Sequence, residues 1–308
     1  MNTPSNAAPE SPLDPQEIAP AAMSAMKQTR PLYWSIRREL WENRSIYIAP
    51  LVVAGVVLLS FLVATIGRAV VTVDPARKAA VLSEPTSFAA GVIMATTFIV
   101  GMFYCLDALH GERRDRSILF WKSLPVSDLT TVLSKASIPL VVLPLITFAI
   151  IVAMQLIMLL MSTVVLLMSG LSAATPWTPL PLFQMPLVLL YHLLTVHVLW
   201  HAPIYAWLLL VSAWARRAVF LWAVLPLLVI GVVEKIAFNT SHFAAMLGYR
   251  LTGPEAFHLT ARGRVPMHPL MTFDPGQFLS TPGLWIGFVV AAAFIAAAVW
   301  LRRYRDPI

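Results

Sequence analysis

Six apolar runs, at residues 46–67, 88–109, 136–168, 187–211, 218–238 and 284–301, each meet or approach 20 residues. A bilayer's hydrocarbon core of ~30 Å takes about 20 apolar residues to cross as an α-helix. The chain therefore reads as an all-α integral membrane protein with six transmembrane helices. Its composition agrees, with 58% of residues hydrophobic and 12% charged, against about 25% charged in ordinary soluble domains.

Lysine and arginine outside the runs set the orientation. Lys27, Arg30, Arg37, Arg38 and Arg44 precede the first run, and Arg113, Arg114, Arg116, Lys122 and Lys135 lie between the second and third. Arg216 and Arg217 follow the fourth, and Arg302, Arg303 and Arg305 close the chain. The opposite side holds Arg68, Arg77, Lys78, Arg250, Arg262 and Arg264. This bias predicts that both termini, and the segment between runs two and three, are cytoplasmic. It also accounts for the formal charge of +7 without a nucleic-acid partner.

The third run extends for about 33 residues, or ~50 Å of helix, so it must tilt or project beyond the bilayer. Pro139 and Pro144 predict a kink in its cytoplasmic half. Residues 1–30, rich in Pro, Ala and Ser, read as a disordered cytoplasmic tail without the apolar core of a secretory signal. The folded unit is then 31–308. Within it, 31–44 (PLYWSIRRELWENR) groups Leu32, Tyr33, Trp34, Ile36, Leu40 and Trp41 on one arc, with Arg38, Glu39 and Glu42 on the other. That pattern predicts a helix lying in the membrane interface, with Arg37 and Arg44 snorkelling out of the apolar arc. Residues 239–283 are a long external connection dotted with Gly and Pro, expected to carry short helices capping the outer mouth.

Between runs two and three lies HGERRDRSILFWKSLPVS, residues 110–127. Successive helical residues are ~100° apart, so Ile118, Leu119, Phe120 and Trp121 radiate around a short helix. One lipid-facing side does not cover them all. They predict two apolar contacts, membrane helices on one side and a second protein on the other. Arg113, Arg114 and Arg116 are then available to acidic groups of that partner or to anionic lipid. Pro125 ends the short helix, and Ser127 with Asp128 reads as the N-cap and first turn of the third span. Asp107, near the end of run two, is expected to pair with an arginine of this loop.

Glu112-Arg113, Ser117, Ser123-Leu124-Pro125-Val126-Ser127 and Lys135 resemble the loop between spans two and three in permeases of the ABC-2 type transporter family. The interfacial helix, six spans, long external segment before the last span and closing LRRYRD are similar to that family too, from about Trp34 to the C-terminus. The resemblance implies that Glu112, Arg113, Arg114, Arg116, Ile118, Leu119, Phe120, Trp121, Leu124 and Pro125 belong to a coupling helix. It would dock on ABC ATP-binding subunits, two copies serving a dimer of identical permease chains, in a bacterial cytoplasmic membrane. An importer-type EAA loop with its glycine is absent, which favours export. The implied activity is alternating-access export of a hydrophobic or amphiphilic substrate such as a drug or antimicrobial peptide. Export of a lipid or polysaccharide precursor is the alternative cargo. No G-x-x-x-x-G-K-[ST] phosphate loop occurs, so ATP and Mg²⁺ are expected on the partner and no catalytic residue or cofactor in this chain.

Other patterns point elsewhere. His110 and Asp115 form H-x-x-x-x-D, the arrangement by which glycerolipid acyltransferases use a histidine base oriented by a carboxylate. Only about 26 residues separate the two spans here, which leaves no room for an acyl-thioester pocket. His197 and His201, at i and i+4, share a face with Tyr205. A metal site needs a third ligand, and none is evident near this pair or His192. His197, His201 and Tyr205, with Gln155 in run three, are expected to face the bundle interior or line a polar pathway. Glu234 and Lys235, inside run five, are expected to form an intramembrane charge pair. The single cysteine, Cys105, sits in an apolar run and reads as packing.

Overall fold

The protein is described here by a computed structural model covering residues 31–70, 75–123, 126–168, 179–252 and 275–304. The tail at 1–30, Leu124, Pro125 and residues 253–274 lie outside the described residues, as do the side chains at 66–87, 165–166, 179–185, 275 and 277. All regular structure among the described residues is helical. Five helices are long and apolar enough to cross a membrane: Ser45–Thr65, Phe88–Arg114, Asp128–Val164, Val219–Phe238 and Pro282–Tyr304. A bent pair, Pro186–Trp200 with Ala202–Trp214, makes a sixth if it crosses as one. This is a multi-pass membrane protein.

In chain order the helices are α1 (Pro31–Glu42), α2 (Ser45–Val70), α3 (Pro75–Ala108), α4 (His110–Arg114), α5 (Ser117–Ser123), α6 (Asp128–Ser137) and α7 (Leu143–Met168). There follow α8 (Pro179–His192), α9 (Ala202–Trp214), α10 (Val219–Phe238), α11 (His242–Thr252), α12 (Pro275–Leu279) and α13 (Pro282–Tyr304). The α9–α13 pair is built on small side chains. Ala202 and Ala206 meet Ala291, and Ala213 meets Ala298, allowing the close backbone approach that stabilises helices in lipid. Ile93, Ile151, Met154 and Met158 fill the space among α2, α3 and α7. Cys105 is fully buried beside Tyr205 and Leu209 in the largest core cluster, a packing position. By contrast α10 buries only Ala223 among its residues, leaving apolar surface of a kind that a soluble chain does not tolerate.

Two wide π turns mark where the sequence interrupts the α-helical ladder. Pro139 lacks an N–H and its ring crowds the Lys135 carbonyl. Residues Ile138–Val142 respond by widening, and the Leu143 N–H reaches Ile138 O. The proline effect expected in run three is thus absorbed by a π turn, and the helix continues on both sides from Asp128 to Met168. In run four a straight span is replaced by a π segment, Leu193–Trp200, and a 43° bend before α9. Pro203 in the first turn of α9 has no N–H to give to Leu199, so the ladder breaks there.

The wheel reading of α1 needs correction. Ile36 and Leu40 do pack on the core, but Glu39, assigned to the polar arc, is 2% exposed and faces inward. Leu32, Tyr33, Trp34 and Trp41 stay exposed. The inward turn follows from the charges waiting inside, described next.

Candidate functional site

The segment between α3 and α6 is held by its own backbone contacts before its charges act. The N–H groups of Leu109 and His110 both donate to Ser212 Oγ of α9, at 3.0 and 2.9 Å. Arg113 donates to the carbonyls of Ser212 (2.6 Å) and Ala215 (2.8 Å), carbonyls that the end of a helix leaves without intrahelical partners. Arg116 then takes a left-handed conformation, φ 56°, which turns the chain into α5.

A buried ion network fastens this loop to three other elements. Glu112 receives Arg302 of α13 at 2.6 Å, Lys135 of α6 at 3.1 Å and Arg38 of α1 at 3.0 Å. Glu39 receives the same Lys135 at 2.8 Å and Arg38 at 3.0 Å, and accepts the Tyr104 hydroxyl at 2.8 Å. Arg302 also reaches Asp128 at 3.0 Å. The three cations Arg38, Lys135 and Arg302 thereby balance the inner carboxylates Glu39, Glu112 and Asp128, with the exposed Glu42 also on Arg38 at 3.2 Å. Such balance is what lets charges be buried, since an unpaired one costs several kcal/mol (of order 3–5) when its partner is removed. Arg38 further lies over Trp121, 3.7 Å from the ring centroid, a cation–π contact. Cavities of about 380 Å³ and 240 Å³ flank that stack; Asp107, Gly111 and Ser117 line the first, Trp34, Val126 and Thr131 the second.

Placement divides the residues expected to couple to a partner. Leu119 and Phe120 are 57% and 60% exposed, while Ile118 is 3% exposed and lines a small inner cavity with Leu109, Ala213 and Leu301. The short helix thus turns one apolar residue inward and two outward. Arg114 is exposed and bonded to Asp115 at 3.0 Å, with Asp107 at 3.8 Å as the sequence expects. Arg116 is exposed. Arg113 is a correction: it is buried and holds α9 carbonyls, so it is not offered outward, and Glu112 likewise serves inside the chain. Trp121 stands half-buried against Arg38 and Phe120. Leu124 and Pro125 lie outside the described residues, but Ser127 does cap α6, accepting the Thr130 N–H at 3.1 Å.

The sequence did not single out Glu39, Tyr104 or Arg302 as site residues. The available signal was Lys135, a cation at the mouth of a long apolar run with no acid within one helical turn of it in sequence, which requires a carboxylate from farther away.

The span-four candidates form a second cluster. Phe98 of α3 lies against His201 (centroids 4.6 Å), Tyr205 (5.9 Å) and, in parallel, His197 (6.3 Å). His197, His201 and Tyr205 are all buried, so within this chain they sit between α3 and the bent stretch formed by the π segment and α9 and do not form an exposed wall. Gln155 is half-buried on α7. Among the described residues no three His, Cys, Asp or Glu side chains converge as metal ligands. At the bend, α11 closes against the end of the π segment and the start of α13. Trp200 Nε1 donates to Tyr249 O at 3.3 Å, His201 Nε2 lies 3.1 Å from Leu251 O, and Arg250 donates to Gly283 O at 2.7 Å while covering the Trp200 ring. Burial lowers the Arg250 guanidinium from its ordinary pKa, though arginine stays a cation throughout the physiological range.

Glu234 and Lys235 are also corrected. The Glu234 carboxylate accepts from Thr240 Oγ1 (2.7 Å) and from the backbone N–H groups of His242 (2.7 Å) and Phe243 (2.8 Å). It caps α11, where the helix dipole favours an anion, instead of pairing with its neighbour. His110 and Asp115 are engaged separately, His110 through its backbone to Ser212 and Asp115 with Arg114. Comparison of this chain with protein-family models, with curated proteins and with solved structures finds no match.

Proposed function

We propose that this chain is the membrane subunit of an ATP-driven exporter, with α4 and α5 as the handle gripped by a separate cytoplasmic ATPase. The observation that carries the reading is the split across one short helix: Ile118 is buried while adjacent Leu119 and Phe120 stand out. An apolar pair projecting from a charge-locked base suits a docking knob. The ion network supplies the transmission, because Glu112 ties the handle to the start of the third span through Lys135 and to the end of α13 through Arg302. A partner that binds one arrangement of this base better in its ATP state shifts the spans by that difference in affinity. In this reading the bent pair crosses as one span, six spans surround the pathway with a second permease chain, both termini are cytoplasmic, and the cargo is hydrophobic or amphiphilic.

The test is purification of the tagged full chain from its native membrane in mild detergent. The expected result is co-purification of a polypeptide bearing a phosphate loop, released by the Leu119→Ser/Phe120→Ser variant. An associated fraction without any ATPase, or an ATPase retained fully by that variant, overturns the proposal.

A further inference from the structure

The outward face of α1 carries a second feature that the handle does not use. Trp34, Arg37 and Trp41 follow one another at helical i, i+3, i+7 spacing, and Arg44 continues the series at the turn into α2. The Arg37 guanidinium lies between both indoles, 5.3 Å from the Trp34 centroid and 5.1 Å from that of Trp41. Trp34 and Trp41 are 57% and 70% exposed. Arg37 and Arg44 are exposed as well, and among the described residues neither forms an ion pair. The next residue, Arg38, shows the contrast: it points inward and is bonded to Glu39, Glu42 and Glu112.

Neither of two simple surroundings suits this face. Water leaves Tyr33, Trp34 and Trp41 uncovered, while acyl chains strip the water from two unpaired guanidiniums. The headgroup layer satisfies both, taking indoles at the interfacial depth and cations at the phosphate plane. The apolar stretch of α2 begins directly after Arg44, which fixes α1 at the membrane boundary. A zwitterionic headgroup already neutralises its own phosphate. The two arginines, without carboxylates of their own, complement a lipid with net negative charge.

We propose that Trp34, Arg37, Trp41 and Arg44 form a docking face for the headgroup of an anionic phospholipid. The test uses the full chain in detergent, titrated with short-chain phosphatidylglycerol or phosphatidylcholine and read by native mass spectrometry. A near-surface arginine strengthens such contacts by about fivefold, so phosphatidylglycerol is expected to bind roughly tenfold or more tightly. The R37Q/R44Q variant should lose most of that preference, whereas R216Q/R217Q, which removes two exposed cations elsewhere, should keep it. Equal binding of the two lipids by the unaltered chain overturns the proposal. So does an equal loss in both double variants, which marks generic charge attraction.

Discussion

Glu112 and Arg302 are 190 residues apart in sequence and meet at 2.6 Å, their side chains 7% and 4% exposed. The contact joins the loop after the second span to the end of the last one. With Lys135 and Arg38 on the same carboxylate, one anion ties α1, α6 and α13 to the loop. Glu112→Gln should therefore destabilise the protein by about 3–5 kcal/mol, the cost of leaving buried cations uncompensated. Thermal unfolding of the detergent-purified chain checks this. Combined with Arg302→Met, the loss should be smaller than the two single losses added.

The two sides of α5 should respond in opposite ways. Ile118→Ala empties a buried site and should cost about 2–4 kcal/mol in unfolding measurements. Leu119→Ser with Phe120→Ser should leave stability within about 0.5 kcal/mol while abolishing ATPase retention and ATP-dependent export. A large drop in melting temperature for the second pair would count against its role as a free knob.

Gly287 makes room for a cation. A methyl group there would stand 2.9 Å from Arg250 Cζ, displacing the guanidinium from Gly283 O and the Trp200 ring. Gly287→Ala should thus lower the melting temperature, and the same substitution in an Arg250→Ala background should cost little. Equal effects in both backgrounds would assign the glycine to helix packing alone.

Ser127 provides a smaller check. It caps α6 from an exposed position, so Ser127→Ala should cost about 1 kcal/mol and Ser127→Asp should restore most of it. The readout is again the unfolding midpoint.

Much of the architecture was written in the order of residues. Runs near 20 apolar residues dictate helices of membrane length, because that length is set by the bilayer and not by any distant contact. The Ser127 cap, the broken regularity around Pro139 and the two-sidedness of Ile118 to Phe120 are likewise local, each depending on neighbours within a turn or two. The tertiary fold decided which charges meet. Glu39 looked like part of a solvated arc until Lys135 and Tyr104, both distant in sequence, were found to need its carboxylate. Arg113 looked available to a partner until the carbonyls ending α9 claimed it, and Glu234 left its neighbour Lys235 for the first turn of α11. A helical wheel ranks faces by polarity, whereas a buried ion goes wherever its counter-charge lies, and that position exists only once the helices have packed.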